Sequence, residues 1–298
     1  MFDASQYHHH VAEAISYPLL FTSISGAHLY GFPSPDSDVD LRGCHVLPAR
    51  ALLGLRPPKA TVSRTWVVDG VEIDLVSHDL VKYVKLLLVE NGNFLEQLFS
   101  PLVVVDTAWA EELRDLVQHG TVAGHVYRAY AGYARSQWRE WRLEAIQGAA
   151  PLKPLLYAYR VSLTGIHLLR TGQVNANLAE LAPAYGYGHL LALIAAKIAE
   201  HAALALPVDE HDAALARLQD DLAAARDASR LPEEPTNQAA LDDFVVRVQL
   251  AGGLGWTGSS AVPFTRPSGA AAPLARPAPT ATWTWAAFAS RRRATCWA

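Results

Sequence analysis

A chain of 298 residues that is 51% apolar, with a formal charge of -4 and a pI near 6.3, can bury a sizeable core but has too little positive charge to coat nucleic acid through bulk electrostatics. Cys44 and Cys296 are far apart and lack CxxC spacing, which argues against a disulfide framework or a thiolate zinc site. No run of about 18 uncharged apolar residues occurs, and the opening MFDASQYHHH lacks the basic-then-apolar layout of a secretory leader, so a soluble cytoplasmic protein with no membrane partner is expected.

Residues 5–16 have the pattern of a short helix, and 19–24 that of a buried strand ending at Ser25-Gly26. A turn-rich loop punctuated by Gly31, Pro33, Pro35, Asp36 and Ser37 leads to a second strand over 39–47, which Pro48 ends. The β-rich runs 61–68 and 71–77 are joined by Asp69-Gly70, residues suited to a two-residue turn with positive φ at both positions, so the runs should pair antiparallel. Leu80, Val84, Leu87 and Leu88 recur with helical period over 79–89; Asn91-Gly92 ends that helix before another over 94–98.

Beyond Asp106 the spacing predicts helices only, over 109–119, 122–146, 153–170, 176–181, 189–204, 209–228 and 237–250. After Gly252 the composition shifts to Ala, Pro, Gly, Ser and Thr without periodicity, the signature of a disordered low-complexity tail. Its Arg291-Arg292-Arg293 run fits a solvated segment better than a nucleic-acid contact. The expected organisation is therefore a mixed α/β domain over 1–105, a helical domain over 106–250 and a tail over 251–298.

Chemistry concentrates in Ser25-Gly26-Ala27-His28-Leu29-Tyr30-Gly31 and the following Asp36-Ser37-Asp38-Val39-Asp40-Leu41-Arg42-Gly43. A glycine-started loop lets backbone N–H groups approach triphosphate oxygens, and acidic side chains can hold Mg²⁺ against those same oxygens. On a strand, positions i and i+2 project to one face about 6.6 Å apart, so Asp38 and Asp40 can converge on ions about 3.5–4 Å from each other. An isolated Asp-x-Asp more often only caps backbone N–H groups in a turn; here the preceding strand and glycine loop coincide with it. His28 could donate to a phosphate and Tyr30 could pack on a sugar or base, or both could simply fill the surface between strand and helix. Arg42 could pair with Asp40 or Asp36, or reach a phosphate.

These residues resemble the DNA polymerase beta superfamily, whose pattern is an apolar residue, Gly, a Gly or Ser, about ten residues and then Asp-x-Asp. More narrowly, GAHLYGFPSPDSDVDLRG, HDLVKYVKLLLVENGNFLEQLFSPLVV and KPLLYAYRVSLTGIHLLRTG are similar to the RlaP-type, RNA-repair-pathway nucleotidyltransferases, over roughly residues 15–250. The resemblance implies an α/β (α+β) polymerase-beta-like nucleotidyltransferase domain with a mixed sheet, followed by an all-helical domain. It also implies transfer of NMP from an NTP with Mg²⁺ (or Mn²⁺) to an acceptor hydroxyl, with RNA as a candidate acceptor, and Asp38 and Asp40 as metal ligands. Ser25, Gly26, Ala27 and His28 would bind the nucleotide. Ala27 departs from the usual Ser, so a hydroxyl that would reach phosphate is missing or displaced.

The superfamily usually adds a third carboxylate from a neighbouring strand. Glu72 and Asp74 share one face of 71–77 and either could serve; Asp74, further from the turn and eight residues before Lys82, matches the family pattern. The same motif serves antitoxin-type enzymes that modify proteins, and a non-catalytic nucleotide sensor is a further alternative. Arg128, Arg135, Arg139, Arg142, Lys153, Arg160 and Arg170 lie among aromatic residues in 121–170, a pattern that suits RNA contact but fits arginines covering an aromatic core better. Asn91, Asn93 and Glu96 fit caps and junction contacts better than ligands. His8-His9-His10 diverge on one short helix and are assigned no role.

Overall fold

The computed structural model describes residues 3–89, 91–147, 151–200 and 206–253. All of the expected tail after Gly253, Cys296 included, lies outside them; its first residues, 251–253, belong to the last helix. Among the described residues no helix is long and apolar enough to cross a membrane.

Five strands form one mixed sheet: β1 (Leu19–Ile24), β2 (Val39–His45), β3 (Thr61–Val68), β4 (Val71–Asp79) and β5 (Val103–Val105), in the order β3-β4-β2-β1-β5. Only β2 and β4 run parallel; the other neighbours are antiparallel. The Asp69-Gly70 turn forms as expected, with φ of 50° and 84°, the left-handed conformations that a tight hairpin needs. β5 was not legible as a strand: it is three residues long, below the length at which alternation is informative, and it is fixed by pairing with β1 through Thr22 and Ser23.

The sheet has two dissimilar faces. Val39, Leu41, Ile73 and Leu75 point to one side, where they join Val11 and Ile15 from and beside α1 (His8–Ala14) in a small apolar cluster. Asp40, Arg42 and Cys44 alternate to the other side, and Cys44 there enters the main core, shared with the helices that follow the sheet. The main core runs through α4 (Leu80–Leu88), α5 (Gly92–Leu98), α6 (Ala108–Leu116), α7 (Tyr127–Ile146), α8 (Leu152–Thr171) and α11 (Val208–Asp227). Helices α9 (Leu178–Ala184), α10 (Leu190–Ile198) and α12 (Gln238–Gly253) complete the helical region.

Buried polar side chains pin these elements to the sheet. Asp79 accepts from Leu47 N at 3.0 Å with one oxygen and caps α4 by accepting from Val81 N at 3.1 Å with the other. Thr107 caps α6 by accepting from Ala110 N at 3.2 Å and donates to Leu20 O of β1 at 2.7 Å.

Several boundaries differ from expectation. Residues 26–30 form the short helix α2 (Gly26–Tyr30) inside what reads as loop, ended by Gly31 at φ 85°. Ala49–Leu52 adds one more turn, α3. The helix expected from 122 begins only at Tyr127, because 124–126 form a 3₁₀ turn tied by Gly124 N and His125 N to Pro232 O and Glu233 O. These are long-range bonds that local periodicity does not encode.

Candidate active site

β1 is buried along its whole length and delivers the chain to Ser25, which caps α2. Ser25 N donates to Asp40 O at 2.8 Å, so the loop after β1 is tied to the first turn of β2. Gly26 has φ of 64°, and a Cβ there would overlap the Asp40 carboxylate at Oδ2. Glycine is thus required twice over, for its backbone conformation and for the close approach of the acid.

The parallel register sets Asp40 directly beside Asp74. Neighbouring strands lie about 4.8 Å apart, so the two carboxylates share one edge of the β2–β4 pair. Arg42, two residues along the same face, joins them: Nη2 donates to Asp40 Oδ1 at 2.6 Å and to Asp74 Oδ2 at 3.1 Å, and Nη1 to Asp74 O at 2.8 Å. Asp38 lies just before β2 and is exposed. Burial raises the Asp40 carboxyl above its ordinary range; the Arg42 charge opposes this, and the nearby carboxylates Asp74 and Asp38 add to it. Glu72 is also exposed and precedes the first paired residue, Ile73, so it lies further from Asp40 along the strand than Asp74 does.

Helical residues close the other side. Lys153, near the start of α8, is close enough to lower the Asp40 carboxyl's pKa electrostatically. Tyr157, one turn on, is pushed up to about 12, mainly by burial and also by the charge of Asp40. Lys197 of α10 donates to Ser34 Oγ at 2.7 Å and so clamps the loop between α2 and β2. His28 feels both Asp40 and Lys197, and burial keeps its imidazole below the usual range, hence neutral at pH 7.

Lys197 and Tyr157 are absent from the sequence-derived site. Lys197 carries no motif, and Tyr157 lies within the family-like stretch KPLLYAYRVSLTGIHLLRTG without standing out from it; Lys197 meets Ser34 and Tyr157 meets Tyr30 and Phe32 only through the packing of α10 and α8. The basic run around α7 and α8 divides. Arg160 is buried and pairs with Glu96 Oε2 at 2.8 Å, Arg142 lies 3.3 Å from Asp212, and Tyr130, Trp141 and Tyr159 are core. Arg135 and Arg139 are exposed on α7. Glu96 is a junction residue, as expected.

The oxygen donors at this position are of the kind that can hold a divalent cation. The donor set fits: clustered carboxylates are hard oxygen ligands, and the mutual repulsion felt at Asp40 is what a divalent charge would relieve. Among the described residues no group of three His, Cys, Asp or Glu side chains is already gathered as a ligand shell, and the guanidinium of Arg42 spans Asp40 and Asp74 instead.

The chain shares 28% identity over 160 residues with an uncharacterized protein of Methanocaldococcus jannaschii, a match covering 54% of this chain and 64% of that relative's length. Among solved structures, the crystal structure of a nucleotidyltransferase-like protein from Exiguobacterium sibiricum aligns over 82% of this chain and 76% of that one, with 9% identity and a TM-score of 0.27. The model of the RlaP family, described as the RNA repair pathway DNA polymerase beta family, matches residues 2–247. That span takes in β1, the glycine turn, the aspartates and nearly all of the helical region, so the chain belongs to the RNA repair pathway DNA polymerase beta family.

Proposed function

We propose that this chain transfers a nucleoside monophosphate from an NTP to an acceptor hydroxyl, with RNA as the acceptor, and that residues 1–105 act as the nucleotidyltransferase domain and 106–250 as a helical domain. The observation that carries the reading is the side-by-side register of Asp40 and Asp74 against a position, Gly26, that only glycine can occupy. Asp38, Asp40 and Asp74 would hold Mg²⁺ or Mn²⁺, which when bound neutralises phosphate charge and orients the triphosphate. The N–H groups of Gly26, Ala27 and His28, with Ser25, at the start of α2 would receive phosphate oxygens. With no hydroxyl at Ala27, backbone donors and Lys153 and Lys197 supply that contact.

In the transfer, the acceptor oxygen forms a bond to the α-phosphorus as the bond from that phosphorus to the bridging oxygen breaks. Pyrophosphate leaves, and the acceptor proton passes to Asp74, the carboxylate that the parallel β2–β4 register sets beside Asp40. Neutral His28 donates to phosphate without adding charge. Incubation with each α-labelled NTP and Mg²⁺, with and without total RNA, tests the reading. Label appearing in RNA supports it; label in protein alone moves the acceptor to a polypeptide; nucleotide binding without pyrophosphate release would leave only a sensor.

A further inference from the structure

The helical region holds a cavity of about 560 Å³ that the proposed transfer does not use. A volume of that size suits a small organic ligand. Its walls come from α8, from α11 and from the segment Tyr185-Gly186-Tyr187-Gly188-His189 between α9 and α10. Tyr157 and Tyr159 are neighbours but one on α8, about 200° apart around a helix of 3.6 residues per turn. Tyr157 meets Tyr30 and Phe32 beside the carboxylate cleft, so Tyr159 lines the cavity from the opposite face of the same helix.

The lining is aromatic and polar. Tyr159, Tyr185, Tyr187, His189 and His211 contribute rings. Tyr159 lies 5.7 Å from Tyr187 with the planes inclined by 58°, and His211 meets Tyr159 edge-on at 5.8 Å. Rings inclined in this way keep π-faces available to a further flat ring. The segment that brings two of them is held in place by its own backbone: Gly186 turns at φ 83°, Tyr187 N donates to Ala182 O at 2.7 Å, and Leu190 N donates to Tyr187 O at 2.9 Å. The Tyr159 hydroxyl and His211 Nδ1 share a hydrogen bond of 2.9 Å, which leaves Nε2 of that imidazole for a ligand. Along α11 the lining runs from Glu210 to Asp221, about 16 Å at 1.5 Å per residue, long enough for a base and its sugar end to end. Glu210, Arg217 and Asp221 are exposed, two negative charges against one positive, a poor match for a triphosphate and a good one for hydroxyl donors.

We infer that this cavity binds a ribonucleoside unit, with the base against the rings of Tyr159 and Tyr187, the base edge on His211, and the sugar hydroxyls donating to Asp221. A flat π-face with ring nitrogens at one end and uncharged vicinal hydroxyls at the other is the chemistry that this lining complements. A lipid tail would need an apolar lining, and a quaternary ammonium would meet the charge of Arg217. The unit is either a free nucleoside or the 3′-terminal residue of an RNA strand, which presents the same base and diol. The inference does not depend on the transfer proposed at Asp40 and Asp74.

The test is calorimetry on the full chain in EDTA with adenosine, guanosine, cytidine and uridine, their 2′-deoxy counterparts, and choline as a cationic probe. At least one ribonucleoside should bind, and its 2′-deoxy form should bind about tenfold more weakly, the scale of one hydrogen bond to a charged group. Tyr187→Ala should weaken binding about tenfold by removing a stacking face. Asp221→Ala should bring the ribonucleoside down to the level of its 2′-deoxy form without moving the melting temperature, because the side chain is exposed. Asp40→Asn should leave binding unchanged, which separates the cavity from the carboxylate cleft. If Tyr187→Ala does not fold, Asp221→Ala decides. An oligoribonucleotide with a free 3′ end that displaces the nucleoside, where the same strand ending in a 3′-phosphate does not, assigns the site to an RNA terminus; displacement by neither assigns it to a free nucleoside. Binding of no ribonucleoside, choline binding in its place, equal affinity for ribo and 2′-deoxy forms, displacement by both strands alike, or loss of binding in Asp40→Asn would each overturn the inference.

Discussion

At the scale of single residues, the site is a cluster of acids restrained by one arginine. Replacing Asp38 or Asp40 with Asn should reduce transfer by several orders of magnitude while leaving the melting temperature nearly unchanged, because neither carboxylate is in the apolar core and Arg42 retains Asp74. Normal turnover in a folded variant would remove these residues from the metal site. Two histidines set a pH limit on the same sheet. His45 is held down to about 4 by burial and then by the nearby His78, which is itself held down to about 4 by burial and by Lys82 and Arg42. Both lie below the unfolded value near 6.5, so the unfolded chain binds more protons and stability falls as pH drops from about 6.5 towards about 4. His45 alone should cost roughly 3 kcal/mol by pH 4 at 1.36 kcal/mol per pKa unit. Asp79 and Asp40, raised mainly by burial, act in the opposite sense and offset part of this as they protonate. Urea denaturation between pH 7.5 and 4.5 checks the sign; a flat profile would mean that His45 and His78 are not buried neutral.

At the scale of elements, two glycines distinguish turn chemistry from packing. Gly70 closes the β3–β4 hairpin at φ 84°, and a Cβ there would meet nothing within 4 Å, so Gly70→Ala should destabilise by about 1 kcal/mol through backbone strain alone. Gly92 begins α5 against the ring of Tyr130, whose Cζ would lie 2.6 Å from an added Cβ. Gly92→Ala should therefore cost more, about 1–3 kcal/mol, by overpacking the junction between α5 and α7. Thermal or chemical denaturation of the two variants would reverse this account if Gly70→Ala were the more damaging. The first glycine was legible from Asp69-Gly70 between two β-rich runs. The second reads locally as a helix terminator, and its packing role exists only because α7 folds back over it.

At the scale of the whole molecule, a chain of net charge -4 must recognise a polyanion locally if its acceptor is RNA. The exposed Arg135 and Arg139 of α7 are the candidates among the basic helical residues, since Arg160 is consumed by Glu96. Replacing both with Gln should weaken acceptor use and lower the log–log salt slope by about 0.7 for each single-strand phosphate no longer neutralised, with NTP affinity nearly unchanged. Acceptor kinetics unchanged at every salt concentration would remove these arginines from the RNA path.

Residue order alone determined the strand-glycine-Asp-x-Asp segment, the β3–β4 hairpin, the helical character beyond Asp106 and the family resemblance, because each is written in neighbours a few positions apart. Periodicity and turn chemistry act over that same short range. Tertiary structure decided which acid stands beside Asp40, since the parallel β2–β4 register joins residues far apart in the chain and places Asp74 there with Glu72 beyond the paired segment. It likewise decided that Arg42 bridges the carboxylates, that Arg160 turns inward to Glu96 and Tyr30, and that Lys197 reaches Ser34. An arginine or lysine carries the same charge whether it faces water, a carboxylate or a ring, and only the packing of strands and helices determines which of the three it meets.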